Sequence, residues 1–213
     1  EYIKNVLDNI IYKDVIARYS IKKQRVVKEL INILTTNISS SFTYNSIKTT
    51  LGLSNSITVK EYISYLANTY LFFEVSKFDF SLRKSLAAPK KIYLIDTAFN
   101  QISGFNFSSN NGRNLENVVF IELKRRKKEV YYFSEKNECD FIIKDGSRIT
   151  RAIQVCYNLN KEDKEREVNG LIQAMNKFKL KEGVIITFDQ DEKLSVEGKT
   201  IQVIPVWKWL LKE

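Results

Sequence analysis

The sequence predicts an α+β protein of two domains, the first mainly helical and the second α/β with a mixed sheet. Three observations predict it. Apolar residues recur at helical spacing through residues 1–69 and then give way to two β-rich runs that end by residue 99. Residues 100–113, which include QISGFNFSSNNGR, are rich in Ser, Asn and Gly, lack periodicity and read as a linker. Beyond them the order is helix, three strands, helix, two strands, helix, the pattern of an α/β domain.

Residues 1–19 place Ile3, Leu7, Ile10 or Ile11 and Val15 at helical spacing, giving one or two short amphipathic helices. From Ser20, a candidate N-cap, Val26, Val27, Leu30, Ile31 and Leu34 share one face of a helix that ends near Asn37. Residues 43–69 read as helix, turn, helix. Ile47 and Leu51 face inward on the first, Gly52 supplies the left-handed turn, and Val59, Tyr62, Ile63 and Leu66 line the second. The β-rich runs that follow flank a polar stretch with Arg83, Lys84, Lys90 and Lys91. Three helices and a β-hairpin describe a winged helix-turn-helix domain over residues 20–99. In such a domain the second helix of the pair offers Ser54, Asn55, Ser56, Thr58, Lys60 and Ser64 outward, and the hairpin offers Arg83, Lys84 and Lys90 to phosphates. A winged helix used only to bind protein fits the same pattern.

Residues 115–128 form a helix whose basic end suits the negative pole of its dipole. At about 100° per residue Glu116 falls between Leu123 and Phe120, inside the apolar arc, where a carboxylate needs a partner or a task. The commoner explanation of a first-turn Glu is the helix dipole. EVYYFS, NECDFIIKD and RITRAIQVCYN are strands, and KEDKEREVNGLIQAMNKFK is a helix that buries Val168, Leu171, Ile172, Met175 and Phe178. GVIITF is a short apolar strand of the kind buried on both faces, KTIQVIPVW is another strand, and residues 207–211 close as a short helix.

Residues 137–158 organise the second domain, because side chains two apart on a strand share a face: Glu138 with Asp140, and Gln154 with Cys156. A two-residue Asp145-Gly146 turn would set Asp140 against Arg151 and send Gln154 to the other face. A three-residue loop would set Glu138 against Gln154. Gathering the polar residues therefore requires an odd-length loop or a bulge, and that is the expectation. Glu116 on a helix, Asp140 on a central strand and Gln154 on the next would suit divalent-metal phosphodiester hydrolysis, with Glu116 and Asp140 holding the metal. A lysine two residues after the third ligand usually completes such a site, and Cys156 occupies that position. Gln154 also brings no negative charge.

Composition narrows the chemistry. The chain of 213 residues has no histidine and two cysteines, Cys139 and Cys156, which excludes histidine triads, zinc fingers and a disulfide framework. No apolar run approaches a membrane span, so a soluble, cytoplasmic protein without membrane contact is expected. Met175 is the only methionine, so the sequence is expected to be a piece of a longer one. The net charge is +9. Residues 1–100 carry 14 Lys/Arg against 8 Asp/Glu, and residues 101–213 carry 20 against 17. Such a balance favours an anionic partner, nucleic acid first.

Several segments together carry a family resemblance: DVIARYSI (14–21), TTLGLSNSITVKEYISYLANTYLFF (49–73), PKKIYLIDTAF (89–99), NLENVVFIELKRR (114–126), ECDFIIK (138–144), IQVCYNL (153–159) and KEREVNGL (164–171). With them the chain resembles the C-terminal part of a family of archaeal and bacterial P-loop ATPases, in which an AAA-type motor precedes a winged helix and a PD-(D/E)XK nuclease-like domain. The resemblance implies that residues 1–19 end the ATPase lid and that residues 114–213 adopt a restriction-endonuclease-like fold. It also implies that Glu116, Asp140 and Gln154 occupy the nuclease positions, with Gln154 and Cys156 as departures that favour a fold kept for binding. No GxxxxGK[ST] occurs, so ATP would be bound only through an upstream domain. The expected function is a nucleic-acid-binding module of such an ATPase with no cofactor of its own. The alternatives are a Mg²⁺-dependent endonuclease and a module that couples the ATPase to a protein partner or to a second copy.

Overall fold

The computed structural model describes residues 1–102 and 111–211. Its architecture is α+β, in two compact units each drawn from two segments: Glu1–Glu74 with Pro89–Asn110, and Val75–Ala88 with Asn111–Glu213. Most of the expected linker at 100–113 lies outside the described residues. Residues 75–88, assigned by sequence to the first domain, belong to the second unit.

In the first unit, α1 (Tyr2–Asn9) runs on as a π-helical stretch, Ile10–Ala17, whose Ile11, Val15 and Ile16 are buried in the core. These residues are thus built into the unit. Ser20 is no N-cap. It adopts φ +52° and closes the preceding helix, its N–H donating to Ala17 O while Ile21 N–H donates to Ile16 O. That pair of bonds is a Schellman stop, so α2 starts later, at Gln24–Thr36. After β1 (Ser41–Phe42), α3 (Tyr44–Thr50) begins with a capping box in which Thr43 and Ser46 satisfy each other's backbone N–H. Gly52 turns the chain at φ +62°, and Asn55 caps α4 (Ser56–Asn68) by accepting from Ile57 N–H at 2.9 Å. Val27, Leu30, Leu34, Ile47, Val59, Ile63 and Leu66 close the core. β2 (Phe72–Ser76) and β3 (Lys90–Leu94) join β1 in a three-stranded sheet of order β1-β3-β2. Thr97–Ile102 follows as a 3₁₀ turn.

Residues 75–88 join the second unit through aromatic packing. Lys77 bridges Tyr132, and Phe78 sets its ring edge-on to Tyr131 and Phe178 at 5.6 and 5.2 Å. The polar stretch read as part of a hairpin contains a short helix, α5 (Leu82–Ala87).

The rest of the unit is α6 (Asn111–Arg125), β4 (Glu129–Ser134), β5 (Glu138–Asp145), β6 (Arg148–Val155), α7 (Lys161–Lys177), β7 (Glu182–Thr187), β8 (Glu192–Val196), β9 (Lys199–Pro205) and α8 (Val206–Leu210). The strands form one mixed sheet of order β4-β5-β6-β7-β9-β8, parallel where β7 meets β6 and β9 and antiparallel elsewhere. β8 was not foreseen, since its polar run has no alternation to reveal it. A Glu197-Gly198 turn with φ +51° and +72° makes it a hairpin with β9. Among the described residues no helix is long and apolar enough to cross a membrane.

A bulge sets the β5–β6 register. Asp145 faces Arg148 and Lys144 faces Ile149, but Ile143 faces Arg151, leaving Thr150 as the extra residue. Thr150 returns its hydroxyl to Ile143 O. From there Phe141 meets Ile153, and Asp140 comes level with Gln154, as the gathering of the polar residues requires.

Candidate functional site

The ladder between β5 and β6 runs as far as Phe141 opposite Ile153, and beyond it side chains join the strands. Asp140 Oδ2 accepts from Val155 N–H at 3.0 Å, and Gln154 Oε1 accepts from Asp140 N–H at 3.2 Å. Each strand thus satisfies the other's backbone where the sheet opens. The second end of the Gln154 amide, Nε2, donates to Glu167 Oε2 at 2.5 Å. Glu167 Oε1 accepts from Arg166, which also reaches Asp163.

Two contacts of α7 bring Glu167 to this place. At Gly170 the helix lies so close to β5 that a Cβ would stand 2.0 Å from Glu138 O. At Gln173 the side-chain oxygen accepts from Asn137 N–H at 2.8 Å. Glu167 lies one turn before Gly170 and so reaches β6.

Glu116, Asp140, Gln154 and Glu167 are each less than a tenth exposed and line one cleft of about 500 Å³ with Lys136, Glu138 and Arg166. The structure therefore brings all three sequence-derived site residues together. It adds Glu167, which sequence reasoning missed. The signal was present: Glu167 stands four residues before Leu171 and eight before Met175, on the apolar stripe of its helix, as Glu116 does on its own.

Two of the four donors are already engaged: Gln154 Oε1 accepts from a backbone N–H, and the Glu167 charge is taken by Gln154 and Arg166. Among the described residues no group of three or more His, Cys, Asp or Glu could hold a metal. Cys156 lies beside this network with its thiol directed to Asn158 O. Burial, then the charges of Glu167 and Asp163, push its pKa up to about 11, so it cannot stand in for an absent lysine.

The positions read as nucleic-acid contacts divide. Asn55, Lys60 and Ser64 are exposed on or beside α4, and Ser56 and Thr58 are half-buried. Ile57, 60% exposed, and Glu61 share that surface, so it is mixed rather than basic. Arg83 and Lys84 are exposed on α5, which belongs to the second unit. Lys90 corrects the expectation of an outward phosphate contact. It is only 7% exposed, and desolvation lowers its pKa against the opposing pull of Glu74.

Residues 1–106 match a family model described as a domain of unknown function (DUF8612), and residues 111–209 match another, a domain of unknown function (DUF4143). An uncharacterized protein of Methanocaldococcus jannaschii is 36% identical over 227 residues, covering 99% of this chain and 50% of its own length. An uncharacterized protein of Haemophilus influenzae is 26% identical over 215 residues, covering 99% and 52%. The chain thus spans about half the length of these curated relatives. No solved structure matches it significantly.

Proposed function

We propose that this chain is a nucleic-acid-binding C-terminal module of a P-loop ATPase, in which a winged helix precedes a nuclease-like domain retained for binding rather than cleavage. The observation that carries the second half is the Gln154 amide, closed between Asp140 N–H and Glu167. Where a hydrolytic centre needs free oxygens converging on a cation, this site uses the Gln154 amide, one Asp140 oxygen and Glu167 to join two strands and a helix.

The order α2-β1-α3-α4-β2-β3 with β1 beside β3 supports the winged-helix reading. The run α6-β4-β5-β6-α7-β7, an antiparallel meander and then a parallel crossover, supports the nuclease-like reading. The match of residues 111–209 to DUF4143, typically found in C-terminal regions associated with AAA ATPases, supports the connection to a motor. The charge of +9 supports an anionic partner. The test is fluorescence anisotropy with a duplex of about 20 base pairs, where binding should weaken steeply with salt. An absence of binding at low salt would remove the proposal. A second reading, docking to a protein, is favoured by exposed Ile57 on α4.

A further inference from the structure

The carboxylate cleft lies at the N-terminal part of α6. A second cleft, of about 590 Å³, opens at the other end of the same helix, bounded by the β5–β6 turn and Trp209 of α8. Its floor is apolar, made by Leu123, Ile143 and Ile153.

One wall is fixed. The Arg126 guanidinium is held by Glu122 at 2.5 Å, lies 4.6 Å over the Trp209 ring, and donates to Trp209 O and Leu210 O at 3.1 and 3.2 Å. A cation thereby covers the terminal carbonyls of α8 and locks its aromatic ring against the cleft.

The rim is cationic. Lys127, Lys128, Lys144 and Arg151 line it beside Arg126, against Glu129 and Asp145. Lys144 is spent on Glu129, whereas Lys127, Lys128 and Arg151 are exposed, and none of these three side chains forms an ion pair among the described residues. The backbone places them deliberately. Lys127 takes φ +55° to end α6, its N–H donating to Lys124 O while Lys128 N–H donates to Leu123 O, which turns both lysines out of the helix at the cleft mouth. The Thr150 bulge sets Arg151 opposite Ile143, on the face of the cleft floor; without it Arg151 would face Ile142 and point to the α7 side.

We infer that this cleft is a binding site for phosphate-ester anions, with Lys127, Lys128 and Arg151 meeting the phosphate and the apolar floor taking the attached organic group. The inference rests on the anionic-partner reading above, and it locates the contact in the second unit rather than on α4. The phosphate could belong to a nucleic-acid strand or to a free nucleotide.

The test titrates the whole chain with two probes at low salt, a fluorescein-labelled duplex of about 20 base pairs and a fluorescent ATP analogue. It compares wild type, Lys127→Glu/Lys128→Glu/Arg151→Glu, and Lys60→Glu/Lys84→Glu. The milder Lys127→Gln/Lys128→Gln/Arg151→Gln serves if charge reversal impairs folding. The expected result is a loss of roughly tenfold or more in affinity for at least one probe in the cleft variant, larger than in the α4/α5 variant. Loss for the duplex identifies a nucleic-acid backbone. Loss for the nucleotide alone keeps the cleft as a nucleotide site and takes the duplex contact away from it. Duplex binding that only the α4/α5 variant weakens, with nucleotide binding unchanged in the cleft variant, overturns the cleft and leaves the nucleic-acid reading intact. No binding of either probe overturns both.

Discussion

Gln154 on β6 and Glu167 on α7 are joined by a hydrogen bond of 2.5 Å, and the other end of the same amide holds the backbone of Asp140. The amide is neutral and offers a donor and an acceptor at once, so it can join a carboxylate to an N–H. A carboxylate in its place could not.

Gln154→Glu therefore sets two carboxylates against each other. The variant should lose about 1–3 kcal/mol at pH 8, where both are ionised. It should lose less at pH 5, where one proton can be shared. Thermal melts at the two pH values check this. Equal losses at both would show that repulsion is not the cause.

Gly170→Ala should be the most damaging small substitution on α7, because its Cβ would meet backbone, Glu138 O, at 2.0 Å. We expect a loss above about 3 kcal/mol by denaturant unfolding, with the helix displaced from β5. Gly183→Ala meets the flexible Met175 Sδ at 2.6 Å and should cost less, about 1 kcal/mol.

Glu122 is held down to about pH 2 by its hydrogen bond to Arg125, with Arg126 adding to it. A depressed carboxylate contributes stability that is complete above its unfolded value and is lost as pH falls toward the folded one. Glu122→Gln should thus be destabilised by about 1–2 kcal/mol near pH 7, and the difference from wild type should close between about pH 5 and pH 2. Denaturant melts across that range would contradict this if the gap stayed constant.

Cys156, with its pKa raised to about 11, should be roughly a thousandth ionised at pH 8 and react with iodoacetamide far more slowly than an exposed thiol. Mass spectrometry of the alkylated native and unfolded protein measures the ratio. Comparable rates would mean that the site opens.

Much of this arrangement was legible in the sequence. Helical spacing around Val59, Ile63 and Leu66 located α4, and the inward position of Glu116 marked the cleft. The requirement for a bulge or odd loop followed from the period of two along β5 and β6, and Thr150 supplies the bulge. Other features were set by tertiary contact. Ser20 has the chemistry of an N-cap, yet the apolar run before it decides that it ends a helix rather than starting one. Lys90 looked like a surface cation until β3 placed it inside. The move of residues 75–88 into the second unit depends on Phe78 finding Tyr131 and Phe178, residues far away in sequence. Glu167 sits among the apolar residues of the α7 stripe, and a period counted on Val168, Leu171, Ile172 and Met175 passes over it.

The proposed nuclease-like scaffold binds DNA without cutting it. Incubating supercoiled plasmid with wild type and with Asp140→Asn in Mg²⁺ at low salt, then resolving the DNA on a gel before and after deproteinisation, separates binding from cleavage. The account predicts that both proteins retard the plasmid and release it intact. Nicked or linear DNA formed by wild type and absent with Asp140→Asn would contradict it.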